Sequence, residues 1–267
     1  MKKKILILFL WFGVARTQGN FVFSQNSGGG YNPLGVVVDS RLFYRSDLSR
    51  GPNVLWEGTK AEFGIQNEWT PADNLISARV CLIPISFLEV AAKVGYHRMF
   101  DGLGFGCLPL SSSSGDYSAA ATKSIDRIDS DGLWVQVSPT LRLKFVGLYL
   151  VNGISINYLH EDLDSYYLEV RSNLVHASED SDFLNNFYAL YEIGPRALAG
   201  LSHALTKVGT AGGRSQRVTA MVVITPEMPF VQKPFLVATG GVYTEDPMNA
   251  GRAYVGLMVG GEWKLGR

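Results

Sequence analysis

"AYVGLMVGGEW" spans Ala253–Trp263, almost at the end of the chain. Ala253, Val255, Leu257, Val259 and Trp263 fall on one face of an extended strand, and Tyr254, Gly256, Met258, Gly260 and Glu262 on the other. Alternate residues of a strand point to opposite sides of its sheet, so this stretch is apolar on one side and mixed on the other. A sandwich strand has that pattern, and so does the last strand of a membrane barrel. The rest of the chain has to decide between them.

The same alternation recurs from about residue 34 onward, with no sustained 3.6-residue period. In "LGVVVDSRLFYR", Val36, Val38, Leu42 and Tyr44 oppose Asp39, Arg41 and Arg45. In "TKAEFGIQNEW", Ala61, Phe63, Ile65 and Trp69 oppose Lys60, Glu62, Gln66 and Glu68. "LISARVCL" follows, then "FLEVAAKVGYHRMF", where Leu88, Val90, Ala92, Val94 and Tyr96 oppose Glu89, Lys93 and His97. Later runs are "LWVQVSPTLRLK", "LYLVNGISINYL", "SYYLEVRSNLV", "FLNNFYALYEI", "ALAGLSHALTKV", "QRVTAMVVIT", "PFLVATGGVY" and "RAYVGLMVGGEWKL". These make about twelve candidate strands, most of about 9–14 residues, whereas the usual soluble strand has roughly 5–6. A tilted strand needs roughly 9–11 residues to cross a bilayer.

Short turns punctuate the runs at Thr70–Asp73, Ile83–Ser86, Lys144–Gly147, Ile193–Arg196 and Thr225–Pro229, several with Pro or Gly. Long polar segments occur at Asp101–Gly132, His176–Asp182, Gly209–Gln216 and Thr244–Arg252. Outer-membrane barrels show that asymmetry, with short periplasmic turns and long extracellular loops. A plain count of twelve strands puts Asp101–Gly132 on the wrong side. If "SYYLEVRSNLV" is an excursion and not a spanning strand, every long loop from Asp101 onward lies outside, and the N-terminal third must gain or lose a strand. Ten and twelve strands both keep the number even, and twelve is the preferred count.

Bulk composition agrees. The 267 residues carry 24 Lys+Arg against 24 Asp+Glu, so no basic field argues for nucleic acid. The chain is 46% hydrophobic and 12% aromatic with 29 glycines, a strand-and-turn composition, yet its mean hydropathy is only +0.08. The start, "MKKKILILFLWFGVARTQGNFVFSQ", has a charged Lys2–Lys4 and an apolar Ile5–Ala15, the layout of a secretory leader. The expected organisation is a leader over 1–24 cleaved somewhere in 15–24, a short segment over 25–33, and a barrel over 34–267. Export implies an oxidising compartment, but Cys81 and Cys107 are separated by a turn and a long strand. At roughly 3.3 Å per residue they reach opposite barrel ends, so no bond between them is expected.

Together the leader-like start, amphipathic strands, loop asymmetry and alternating terminal strand resemble bacterial outer-membrane β-barrel proteins. The resemblance covers the chain after about residue 30 and is one of architecture, with no subfamily identified. That family usually ends on an aromatic residue; here Trp263 is followed by "KLGR". The resemblance implies an all-β, single antiparallel up-and-down transmembrane barrel. It also implies location in the outer membrane, with outer-membrane lipid and the assembly machinery as partners.

On that reading, Asp39, Arg41, Lys60, Glu62, Glu68, Glu89, Lys93, His97, Arg142, Lys144, Glu262 and Lys264 face the lumen. Both signs are present, so they can pair across a narrow barrel and plug it. Trp69, Phe87 and Trp263 lie at ends next to short turns, and Tyr44, Tyr96 and Phe100 at ends next to long loops, as interface aromatics. Catalytic chemistry is poorly supported. His97 or His203 with Ser155 or Ser202 suggests a lipid hydrolase, but there is no G-x-S-x-G elbow, and His203 points away from Ser202. Asp129 and Asp131 of "DRIDSDG" carry part of a calcium-loop rhythm without the rest of it. Glu161, Asp162, Asp164, Glu179, Asp180 and Asp182 read as acidic outer loops able to hold divalent ions. "GLGFG" (Gly102–Gly106) lacks the strand–turn–helix setting of a dinucleotide site and reads as a loop. No cofactor is expected. The leading expectation is a non-catalytic barrel of structural, surface-interaction or small-solute passage type. The rivals are a membrane-embedded lipid hydrolase and a secreted soluble barrel holding an apolar ligand.

Overall fold

The computed structural model describes residues 19–265 apart from 33, 49–57, 102–105, 115–116, 118–121 and 123. Of the leader expected over 1–24, residues 1–18 lie outside the described residues, and 20–24 belong to the first strand. Among the described residues there are fifteen strands: β1 (Asn20–Tyr31), β2 (Gly35–Asp47), β3 (Lys60–Trp69), β4 (Asp73–Ile85), β5 (Leu88–Met99), β6 (Leu108–Leu110), β7 (Ser130–Phe145), β8 (Leu148–Glu161), β9 (Tyr166–Glu169), β10 (Leu174–Ala177), β11 (Glu179–Gly194), β12 (Ala197–Val208), β13 (Arg214–Ile224), β14 (Gln232–Glu245) and β15 (Ala253–Leu265).

Twelve of these close a barrel in which each strand pairs antiparallel with its neighbour in the chain. β6, β9 and β10 form a separate three-stranded sheet instead. The barrel closes where β1 meets β15, with Phe23 opposite Trp263. Closure leaves no sheet edge, so every strand has a hydrogen-bonding partner on both sides.

The segment expected as a short N-terminal piece over 25–33 is corrected by this closure. Residues 20–31 are a full barrel strand, so the barrel begins at Asn20 and not at 34. "SYYLEVRSNLV" is the excursion, contributing β9 and β10. One strand gained and one removed restore twelve and put the long connections at one rim.

That rim holds the connections at 100–129, 162–178, 209–213 and 246–252. The other rim holds both barrel termini and the tight turns at Ser86–Phe87, Val146–Gly147 and Pro195–Arg196. Val146 and Gly147 both have positive φ, 36° and 84°, the mirror-image turn that suits a twisted two-residue hairpin. Three connections break the length rule: 32–34 and 70–72 are short at the long-loop rim, and 48–59 is long at the other. Trp69 therefore stands at the same rim as Tyr96 and Phe100, and Tyr44 at the rim of Phe87 and Trp263, the reverse of what turn length implied.

The barrel is charged inside and apolar outside. Phe63, Ile65, Ile76, Val80, Val94, Val137 and Leu201 are all exposed on the outer surface. The terminal strand answers its own question: Val255 and Leu257 are 57% and 54% exposed, so its apolar face points away from the protein. A soluble carrier would turn that face inward, so the polarity here is the opposite of that rival reading.

The small sheet lies across the long-loop rim as a lid. Leu108 pairs with Leu168, and Leu174 with Glu169. Leu108, Leu110, Leu168 and Val175 form its core, against Tyr117, Ile125, Tyr166, Ala211 and Met248. Ala211 and Met248 belong to the loops after β12 and β14, so those loops hold one side of the lid. Cys107 anchors another part, through a bridge to Ile128 and contact with Met99 and Tyr167. Both cysteines are free and buried, one on β4 and one in the lid region. Burial pushes the Cys107 thiol up to about 12, where it is unreactive.

Candidate functional site

The side chains that matter line the barrel and meet the lid. Near the short-turn rim, Arg45 donates from Nε to Glu62 at 2.7 Å and from both Nη atoms to Glu262 at 2.9 Å. Such a planar fork onto carboxylates is the strong form of ion pair. Lys60 adds to Glu62 at 2.8 Å, and Arg142 donates to Glu89 at 2.6 Å. Arg79 lies between Glu62 (3.7 Å) and Glu89 (3.8 Å) and links the two groups. Lys144 pairs with Glu192 at 2.9 Å by the tight turn. Further in, Asp39 accepts from Arg41 and from Gln66 at 2.9 Å. Lys264 lies on the same face as Glu262, two residues on. All twelve inward residues named from the sequence thus lie on the inner face. Three cations not on that list, Arg45, Arg79 and Arg171, hold the network together.

Arg171 comes from the lid. It sits in the tip between β9 and β10, where the Glu169 carboxylate accepts from the N–H groups of Arg171 and Ser172 and Asn173 takes a positive φ of 57°. From there its guanidinium enters the barrel. Nε donates to Asp73 at 2.5 Å, Nη1 to Glu68 at 2.6 Å and Nη2 to the Glu68 carbonyl at 3.2 Å. Lys93 shares Glu68. Both cations lie over the Trp134 ring, at 5.5 Å and 5.8 Å.

Behind this latch, His97 is fully buried between two carboxylates, with Nδ1 2.5 Å from Glu161 and Nε2 3.1 Å from Asp73. Ser130 donates to the other Glu161 oxygen at 2.9 Å. The Glu161 carboxyl occupies the space above Gly132, where any Cβ would come within 2.6 Å of it. The chain of contacts runs on through Trp134 Nε1 to Asn157 at 3.3 Å and from Asn157 to Asp182 at 2.5 Å. Asp180 ties down the lid's far edge, accepting from the N–H groups of Ala177, Ser181, Thr210 and Ala211. In the lid, Arg171 is held firmly charged: burial works against it, but Asp73, Glu68 and Glu169 outweigh that. His176 is driven the other way, held neutral by burial against the pull of Glu169, Asp180 and Glu161.

The wall formed by β12 to β15 is different. Among the described residues, its inner face carries Ser202, Thr219, Tyr243, Tyr254 and Met258 with one arginine, Arg217, while the charges Glu262 and Lys264 of β15 lie at its short-turn end. Arg217 stacks on Tyr254, its Cζ 3.8 Å from the ring centre, beside Tyr243 at 5.6 Å.

Several expected sites are corrected. Glu161, Asp180 and Asp182 are buried structural carboxylates and not loop ligands. Asp129 and Asp131 are spent on Arg98, on the Asp101 N–H and on the Tyr96 hydroxyl. Ser155 hydrogen-bonds Ser138 and Ser202 hydrogen-bonds Thr219, while His203 faces outward to Gln216, so neither of these two serines meets a histidine base. Most of "GLGFG" lies outside the described residues; Gly106 accepts from Arg127.

No family model and no curated protein matches the chain. Similar solved structures are bacterial outer-membrane barrels. The transport unit of the autotransporter AIDA-I from Escherichia coli is 10% identical with a TM-score of 0.42, covering 98% of this chain and 94% of that one. A loop L8 deletion mutant of OmpT, an outer membrane protein of Vibrio cholerae, is 8% identical with a TM-score of 0.40, covering 93% and 99%. NanC porin is 11% identical with a TM-score of 0.39, covering 91% and 100%.

Proposed function

We propose that this protein is an integral barrel of the bacterial outer membrane, non-catalytic, and closed at rest by its own lid. It passes small solutes only when that lid is released. One observation carries the reading: Arg171 reaches from the lid into the barrel and binds Glu68 and Asp73. The exposed apolar belt supports the membrane location, because a bilayer accepts a sheet only if it closes and turns apolar side chains outward. The lid rim then faces the outside, and the termini face the periplasm. Lys2–Lys4 and Ile5–Ala15 serve as the export leader, with cleavage before Asn20 so that β1 stays whole. Lipid and the barrel-assembly machinery are the partners during insertion.

The test has two stages. Boiled and unboiled membrane fractions are first compared by electrophoresis; the unboiled protein should migrate faster. Planar-bilayer recordings should then be silent for the wild type and show discrete conductance for Arg171→Ala. An unshifted, soluble protein would overturn the location, and a wild type that conducts steadily would overturn the closed lid. The lipid-hydrolase reading finds no support in His97, which is sealed between Asp73 and Glu161 with no exposed surface.

A further inference from the structure

The geometry points to a binding site at Arg217 for a small solute that carries a carboxylate on a flat ring. The inference deepens the solute-passage reading by naming a class of solute. It starts from a contrast in pairing. The inward-facing arginines Arg41, Arg45, Arg79 and Arg142, and the lid's Arg171, all have carboxylate partners. Among the described residues, Arg217 has none within 4.0 Å. Its recorded hydrogen bond goes from Nη1 to the Tyr243 hydroxyl at a long 3.4 Å. A guanidinium has five N–H donors in a planar fork, so most of this one's capacity is unused.

The local backbone keeps carboxylates away from it. Arg217 pairs with Tyr243, but its neighbour Gln216 pairs with Glu245, so Thr244 is an extra residue on β14. Without that bulge Glu245 would follow Tyr243 onto the inner face, next to Arg217. With it, Glu245 turns outward and binds Gln216 and Arg214, the latter at 3.1 Å. Bulges commonly re-aim side chains beside functional sites. The next acid, Asp246, is occupied by Ser215 at 2.6 Å and by the Met248 and Asn249 N–H groups.

The ring beneath the arginine is also placed. A Cβ on Gly256 would fall 2.6 Å from the Tyr254 hydroxyl, and one on Gly30 3.5 Å from its ring. Tyr254 therefore lies flat over two glycines and presents its other face to Arg217. Tyr243 meets Tyr254 edge-on, with ring centres 6.1 Å apart. The result is a guanidinium held by stacking, its edge free for the two oxygens of a carboxylate, with tyrosine surface alongside for a ring. Arg–carboxylate forks of this kind fix orientation as well as charge. The site lies just below the loops that hold the lid, so a solute entering past a released lid meets it first.

Benzoate, benzamide and acetate separate the parts: ring with charge, ring without charge, charge without ring. Saturation-transfer NMR on the detergent-folded barrel, for wild type and for Arg171→Ala, should show saturable benzoate binding. Benzamide and acetate should each bind about ten-fold or more weakly, and Arg217→Gln should lose benzoate to a similar degree. Gly256→Val, which pushes Tyr254 off its bed, should weaken benzoate while Arg217 remains. Heat-modifiable migration of each variant confirms a folded barrel. Equal binding of benzamide, benzoate binding unchanged in Arg217→Gln, or no benzoate binding even with the lid released would each overturn the site. Because binding is read without conductance, these results stand apart from the success or failure of the closed-barrel reading.

Discussion

The two walls of the lumen handle charge in opposite ways. On β2 to β8, cations and anions are interleaved so densely that two arginines each bridge a pair of carboxylates: Arg45 joins Glu62 to Glu262, and Arg79 joins Glu62 to Glu89. On β12 to β15 a lone arginine sits among tyrosines and small residues. The first wall is saturated. Its charges satisfy one another, fill the lumen and give the lid something to grip. The second keeps its one arginine available. Partnership, more than the number of charges, separates a plug from a binding surface. Removing a cation should be costly on the first wall and nearly free on the second.

The largest effect is expected for Arg171→Ala. It leaves Asp73, which has no exposed surface, and Glu68 without their lid cation. Removing one cation from a buried cluster of ion pairs typically costs about 3 kcal/mol or more, and here the cost falls on the closed lid. The variant should conduct in planar bilayers, and protease should cut within 162–178 while the barrel keeps its heat-modifiable migration. A silent, protease-resistant Arg171→Ala would mean that the apolar contacts around Leu108 and Met248 hold the lid without the latch.

Arg45→Gln comes next. Its fork to Glu262 joins the last strand to the second across β1, next to the barrel seam, and it also holds Glu62. Loss of about 2 kcal/mol is expected, less than for Arg171 because water reaches this part of the lumen. The midpoint of urea unfolding in detergent should fall accordingly, with no gain in conductance. An unchanged midpoint would remove the distinction between the walls.

Acid should loosen the lid by a smaller amount. His176 is held neutral by burial, so its folded pKa lies below the ordinary value of roughly 6.5. An open lid takes up the proton more readily than a closed one. The contribution of neutral His176 is therefore complete above about pH 6.5 and is lost as pH falls through that value toward the depressed one, by at most about 1.4 kcal/mol per pH unit. Glu169, Asp180 and Glu161 face this histidine and limit the effect. Wild-type opening events should become more frequent at pH 5 than at pH 7.5, and His176→Gln should flatten that dependence. Openings that decline with acid would reverse the sign and place control elsewhere.

Most of this architecture is legible in the sequence because one apolar and one charged face repeat along long strands. The strand that escapes is β1. Only Phe21 and Phe23 begin an apolar outer face there; Gln25, Ser27 and Gly29 continue it, so the alternation fades into a leader-like start. Rim assignment of Trp69 and Tyr44 fails for a related reason: turn length is a tendency, and the connections at 70–72 and 48–59 run against it. Inner-face charges follow from parity alone. The residues that join them do not: Arg171 lies in a loop whose placement depends on the lid sheet, and Asp180 and Asp182 look like loop acids until their neighbours bury them. Arg217 is the hardest to find. Its isolation comes from one extra residue at Thr244, and a bulge leaves no mark in hydrophobic periodicity.

The smallest effect should come from Arg217→Gln, and that is where the contrast between the walls is most exposed. The substitution breaks no ion pair, strands no carboxylate and removes one long hydrogen bond to Tyr243. Stacking on Tyr254 is the main loss, and glutamine's flat amide retains part of it. The urea midpoint should correspond to a change within about 0.5 kcal/mol, the usual range for a substitution that leaves no buried group unpaired. A loss as large as that of Arg45→Gln would show that Arg217 is a structural member of the lumen like the others, and the two walls would then differ in composition but not in role. A near-neutral midpoint together with lost benzoate binding would separate the roles: an arginine that the fold does not require, kept clear of acids by a bulge, and free to meet a solute.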